Sequence, residues 1–117
     1  MPGTAAPAAA PPFHATLKAY THTPKVNARW FYEVDVTTAS GKPLLAKITV
    51  QIVDPFGGVH PVEFDACKSN IVDRPIMGVY ADTVEFPPAS RGFKATFRVT
   101  VTVGARKQLL TYWVKPT

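Results

Sequence analysis

The sequence predicts an all-β domain, a seven-stranded Greek-key β-sandwich over residues 13–117, and three observations carry that reading. First, in Phe93-Lys94-Ala95-Thr96-Phe97-Arg98-Val99-Thr100-Val101-Thr102-Val103 every odd position is apolar and every even one is Lys, Thr or Arg. A strand repeats every two residues, so such a segment buries one face and wets the other. Second, further alternating segments recur along the chain, each bounded by Gly or Pro turn chemistry. Third, no segment keeps a 3.6-residue period for three turns before Pro or Gly interrupts it, so no helix is expected. A small closed barrel is the alternative arrangement of the same strands.

The first strand is Phe13, Ala15, Leu17 and Ala19 alternating with His14, Thr16, Lys18 and Tyr20, and residues 21–28 form a loop. Trp30, Tyr32, Val34 and Val36 give the inward face of the second strand, and 38–43 (Thr-Ala-Ser-Gly-Lys-Pro) turn the chain. Leu44, Ala46, Ile48, Val50 and Ile52 mark the third strand, closed by the Asp54-Pro55-Phe56-Gly57-Gly58 turn, which Asp54 caps through its side chain. Residues 59–66 read as a weaker fourth strand, placed at an edge by Pro61. Residues 67–77 show no period and include Pro75, so they read as a loop or a short irregular crossing. Residues 78–86 are the fifth strand. In it Asp82 falls in phase with Tyr80, Val84 and Phe86 and would point inward, so either the strand bulges there, which is the expectation, or Asp82 finds hydrogen-bond partners. Residues 93–103 and 107–115 form a closing hairpin around Gly104. The predicted core is Trp30, Tyr32, Val34, Val36, Ile48, Val50, Ile52, Tyr80, Val84, Phe93, Phe97, Val99 and Val101.

A chain of 117 residues suffices for one core without staples. Its 12 prolines are about twice the usual share, several of them in the first dozen residues. Residues 1–12 are therefore expected to be a disordered Ala/Pro-rich leader, suited to a tether. Such a tether suggests an exported, extracytoplasmic protein; a cytosolic one with the same leader is the alternative. No run of about 18 apolar residues is present, so no transmembrane segment is expected. The single cysteine, Cys67, makes an intramolecular disulfide impossible and reads as a small buried hydrophobe.

Net charge is +5, unevenly spread. Residues 54–85 hold six acids and two bases, whereas Arg91, Lys94, Arg98, Arg106, Lys107 and Lys115 follow Glu85 with no acid at all. A positive edge or face follows, favouring anionic partners or simply solubility.

The segments 36–44 (Val-Thr-Thr-Ala-Ser-Gly-Lys-Pro-Leu), Gly78-Val79-Tyr80 and Gly92-Phe93 through Val103 resemble bacterial immunoglobulin-like domains, closest to small exported YtkA-like and fibronectin type III-like modules. The resemblance covers roughly residues 30–104 and lies at the level of the fold. It implies a seven-stranded immunoglobulin-like sandwich outside the cytoplasm that binds or spaces, and it brings no catalytic residue. The stretch from His14 to Leu17 is similar to the start of the exported copper-carrying sandwiches related to CopC, where an N-terminal His and its free amine help hold copper(II). Here Pro12 and Phe13 precede His14. A copper site on His14, completed by His22 or His60, is one alternative function. Met77 and Cys67 are lone soft ligands, and no Cys-x-x-Cys or His-x-x-x-His spacing occurs.

Ser40, Ser69 and Ser90 lack a nucleophile-elbow setting, and Gly57-Gly58 precedes no helix, so neither catalysis nor a cofactor is expected. Glu33 and Asp35 share a strand face, where a cross-strand Lys or Arg is expected to pair with them. Lys94 and Arg98 with the outward threonines make a basic strand face with Tyr112 or Trp113 near it, and the basic C-terminal third as a whole is the basis of a polyanion-binding alternative. Nucleic acid is disfavoured because no glycine-flanked stacking motif accompanies them. The final strand is apolar on both faces, with Leu109 and Trp113 on one and Leu110, Tyr112 and Val114 on the other. One face exceeds what a sandwich can bury, so this strand is expected to carry self-association or contact with a protein or cell-surface polymer.

Overall fold

In the computed structural model, which describes residues 12–63 and 68–117, the alternating segments become antiparallel strands, and no α-helix occurs among the described residues. They are β1 (Phe13–Ala19), β2 (Arg29–Thr38), β3 (Leu45–Val53), β4 (Val59–Pro61), β5 (Arg74–Met77), β6 (Val79–Glu85), β7 (Ala95–Val103) and β8 (Arg106–Val114). One 3-10 turn, Pro88–Ser90, follows β6. The described strands number eight rather than seven.

Two sheets pack as a sandwich. One is β1-β2-β6 and the other β3-β7-β8, with β4 and β5 each pairing along the remaining edge of β3. The corner is β5: it pairs with Leu45–Ile48 of β3 and meets β6 only through Met77 and Val79. Strands β1 and β8 approach each other without a ladder; the Gln108 side chain reaches the Ala15 carbonyl at 3.5 Å.

The core follows from strand parity. Trp30, Tyr32, Val34 and Val36 of β2 face Ile48 and Val50 of β3 and Phe97, Val99 and Val101 of β7, all buried. The Trp30 ring stands edge-on to Phe86 at 5.7 Å and to Phe97 at 5.0 Å, and its Nε1 donates to the Thr21 carbonyl at 2.7 Å. A buried indole thus satisfies its one polar atom. The β7–β8 hairpin turns on Gly104 and Ala105, with positive φ at Gly104 alone, the pattern of a type II′ turn.

Four expectations are corrected. The loop expected over 67–77 contains β5, a strand too short to show a period and carrying Pro75. In the described part of the weak fourth strand, residues 59–63, the strand runs over Val59–Pro61, an edge segment paired to β3. Asp82 sits in an unbroken ladder, because the Tyr80 hydroxyl donates to its Oδ2 at 2.7 Å and the Thr83 N–H to its Oδ1 at 2.8 Å. Hydrogen bonds, rather than a bulge, accommodate the carboxylate. Phe93 is 46% exposed, since the β7 ladder begins at Ala95 and the Phe93 N–H turns back to the Ser90 carbonyl. Ile52, Tyr80 and Val84 are partly buried, and Val62, Ile71, Ile76, Phe86 and Val114 join the core. The leader up to Pro11, residues 64–66 and Cys67 lie outside the described residues.

Candidate functional site

With the odd residues of β7 in the core, its even residues face solvent, and register aligns them with outward residues of β3 and β8. Four cross-strand rows result: Val53–Thr96–Trp113, Gln51–Arg98–Thr111, Thr49–Thr100–Leu109 and Lys47–Thr102–Lys107. Strand rise and spacing make this a face about 20 Å by 10 Å. Threonine suits it twice, packing a methyl on the sheet while offering a hydroxyl to solvent.

No acidic residue occurs in β3, β7 or β8, so no carboxylate lies within the four rows; Asp73 borders them at the β3 edge, where its N–H donates to the Thr49 hydroxyl at 3.0 Å. At its centre Arg98 Nη2 donates to Gln51 Oε1 at 2.6 Å, which holds the guanidinium along the sheet without cancelling its charge. Its Nε is buried with no hydrogen-bond partner. Lys94 adds a fourth cation, with Nζ 5.1 Å from the centre of the Trp113 ring.

The opposite outer face differs. There Lys18 of β1 lies 3.6 Å from Glu33 and 3.3 Å from Asp35 of β2, the cross-strand pairing expected of those carboxylates. The two carboxylates push the Lys18 amine above its ordinary range, the hydrogen bond to Asp35 contributing most. Lys18 is exposed while Glu33 and Asp35 are half-buried, so water still screens these ion pairs and they contribute little to stability.

At one end of the cationic face the loop after β1 lies along the edge of β8. The Lys115 backbone N–H donates to the His22 carbonyl at 2.7 Å and the Thr117 backbone N–H to the Pro24 carbonyl at 2.8 Å. The His22 ring stacks on Tyr112 at 4.0 Å and Trp113 at 3.9 Å, with Nδ1 2.6 Å from the Trp113 carbonyl. A carbonyl only accepts, so Nδ1 is the donor in this contact. The loop thereby covers the upper edge of the last strand.

Of the residues singled out from sequence, Trp113, Lys94 and Arg98 come together on the cationic face. Tyr112 points the other way, 6.0 Å from Trp30 on the core side. The histidines are dispersed. His14 is in β1 opposite Thr37, and His22 lies beyond the far end of that seven-residue strand, which spans about 20 Å. His60 Nε2 contacts Asp54 Oδ2 at 2.7 Å. Asp54 Oδ1 accepts the Phe56 and Gly58 N–H groups at 2.8 and 2.9 Å, so the aspartate caps its turn. The His60 contact first, then those two N–H groups, hold the Asp54 carboxyl below its ordinary range. Among the described residues no group of three or more His, Cys, Asp or Glu is placed to hold a metal ion, and no helix is long and apolar enough to cross a membrane. Sequence reasoning missed Lys47 and Gln51, which reach the face only through pairing register. The absence of acids from residues 44–53 was their one sequence signal.

No family model, curated protein or solved structure matches this chain.

Proposed function

We propose that this chain is a non-enzymatic, extracytoplasmic binding module that holds an acidic polysaccharide across the outward face of β3, β7 and β8. The observation that carries the reading is the row structure of that face, with Lys47, Arg98 and Lys107 on three strands without a carboxylate among them. A flat surface of one charge sign attracts an extended polyanion and displaces its counterions. The threonine hydroxyls and Gln51 supply hydrogen bonds to sugar oxygens, and Trp113 offers an aromatic edge at 44% exposure. An immunoglobulin-like Greek-key connectivity is supported by the division of β1, β2 and β6 from β3, β7 and β8. The extracytoplasmic setting rests on the Ala/Pro-rich start and the resemblance of residues 36–44 and 78–80 to exported immunoglobulin-like modules.

The test compares dextran sulfate with uncharged dextran in binding measured over a series of salt concentrations. Binding to the sulfated polymer alone is expected, and Arg98→Gln should lower the slope of log affinity against log salt by about one. Equal affinity for both polymers, or an unchanged slope in Arg98→Gln, overturns the proposal.

A further inference from the structure

A second concavity adjoins the Val53–Thr96–Trp113 end of the cationic face, lined by the chain neighbours Ile52, Asp54, Phe93 and Ala95 rather than by the rows themselves. A cleft of about 560 Å³ opens between the β3–β4 turn and the C-terminal end of β6. That volume falls within the range of about 300–1,000 Å³ found for small-molecule sites. Its apolar lining includes Ile52, Val62, Val84 and Phe86, of which Val62 and Phe86 are buried. Phe56 and Phe93 stand on its rim, from segments 37 positions apart in sequence (93 minus 56), with their rings edge-to-face at 5.8 Å. Phe56 is 81% exposed. An aromatic pair formed in water rather than in the core leaves apolar surface that a third ring would cover.

The charge around this cleft is opposite in sign to that of the sheet face. Asp54, Glu63 and Glu85 line it against Lys68 and His60. Asp54 is committed to its turn and to His60, as its three contacts show. The other two carboxylates lining the cleft are Glu63 and Glu85, the latter standing opposite Arg29 in the β2–β6 ladder. An apolar cleft with an aromatic rim and an excess of carboxylates complements an aromatic ring that carries a cationic amine.

We propose that this cleft is a second binding site, for a small aromatic amine, whose ring packs against Phe56 and Phe93 while its ammonium lies by Glu63 and Glu85. The site is independent of polysaccharide binding, because none of its lining residues belongs to the four rows of the cationic face.

The experiment uses tryptamine, indole and indole-3-acetate as probes that share a ring and differ in charge, followed by calorimetry and by amide shifts in nuclear magnetic resonance. Saturable tryptamine binding is expected, about tenfold or more tighter than that of indole-3-acetate, with shifts clustered at Val62, Val84 and Phe93. Phe56→Ala, at an exposed position, should leave the melting transition and dextran sulfate binding unchanged while weakening tryptamine about fivefold. Glu63→Gln should narrow the preference for the amine over the acetate. Equal affinities for the three probes, the absence of saturation, or shifts confined to the cationic face overturn the proposal.

Discussion

Gly78 lies directly against Pro43: a Cβ placed on Gly78 would stand 2.6 Å from the Pro43 Cβ. The contact joins the turn after β2 to the point where β5 passes into β6. Backbone bonds hold it on both sides, with Val36 N–H to the Gly78 carbonyl at 2.7 Å and Gly78 N–H to the Leu44 carbonyl at 3.0 Å. Gly78 has φ +78, a left-handed value that favours glycine. Two segments distant in sequence, Gly41-Lys42-Pro43-Leu44 and Gly78-Val79-Tyr80, thus form one packed corner.

Gly78→Ala should be costly for two independent reasons, the left-handed backbone and the collision with Pro43. Together these amount to about 2–4 kcal/mol. Urea unfolding checks it; a loss below about 1 kcal/mol would mean that the corner shifts to make room. Gly41→Ala is the control, because Gly41 also has positive φ but meets nothing within 4 Å. It should show only the backbone cost.

What periodicity shows and what it hides separate cleanly in this chain. Strands β2, β3 and β7 were legible because each buries one face and wets the other, so the pleat writes itself into the sequence. Strand β5 was not, since four residues with Pro75 and a single buried side chain, Ile76, leave no period to read. The inward phase of Asp82 was legible, but its accommodation depends on a hydroxyl two residues away on the same face. Phe93 shows the limit in the other direction, because alternation in sequence continues past the point where β8 ends at Val114 and the ladder stops. At the candidate face, the lack of acids after Glu85 was visible, whereas Lys47 joined it only through its pairing with Thr102.

Tyr112 and Trp113 are neighbours with opposite fates, so their substitutions should separate stability from binding. Tyr112 packs toward Trp30, and Tyr112→Ser should cost about 2–4 kcal/mol. Trp113 stacks on His22 and carries Lys94 at the solvent face, so Trp113→Ser should cost about 1 kcal/mol and weaken polymer binding. Urea midpoints and dextran sulfate binding measured on both variants check this. Sedimentation of each would also show whether the exposed ring drives self-association, in which case Trp113→Ser lowers the mass and Tyr112→Ser does not.

The tyrosines beside Asp82 set the alkaline limit of the fold. Burial pushes the Tyr32 phenol well above its ordinary range, and the Tyr80 and Asp82 charges push the same way. Tyr80 is raised too, first by burial and then by its hydrogen bond to Asp82. A raised folded-state value means that the unfolded chain loses these protons first. Their contribution is therefore complete below the ordinary tyrosine value of about 10 and declines as pH rises beyond it. The urea midpoint should fall steadily above about pH 10, and Tyr32→Phe should flatten that decline. At neutral pH Tyr32→Phe removes a buried hydroxyl that lies beside the Tyr80 phenol, itself committed to Asp82, so it should change stability by no more than about 1 kcal/mol. A neutral-pH loss well above about 1 kcal/mol would show instead that the Tyr32 hydroxyl makes a strong hydrogen bond in the folded state.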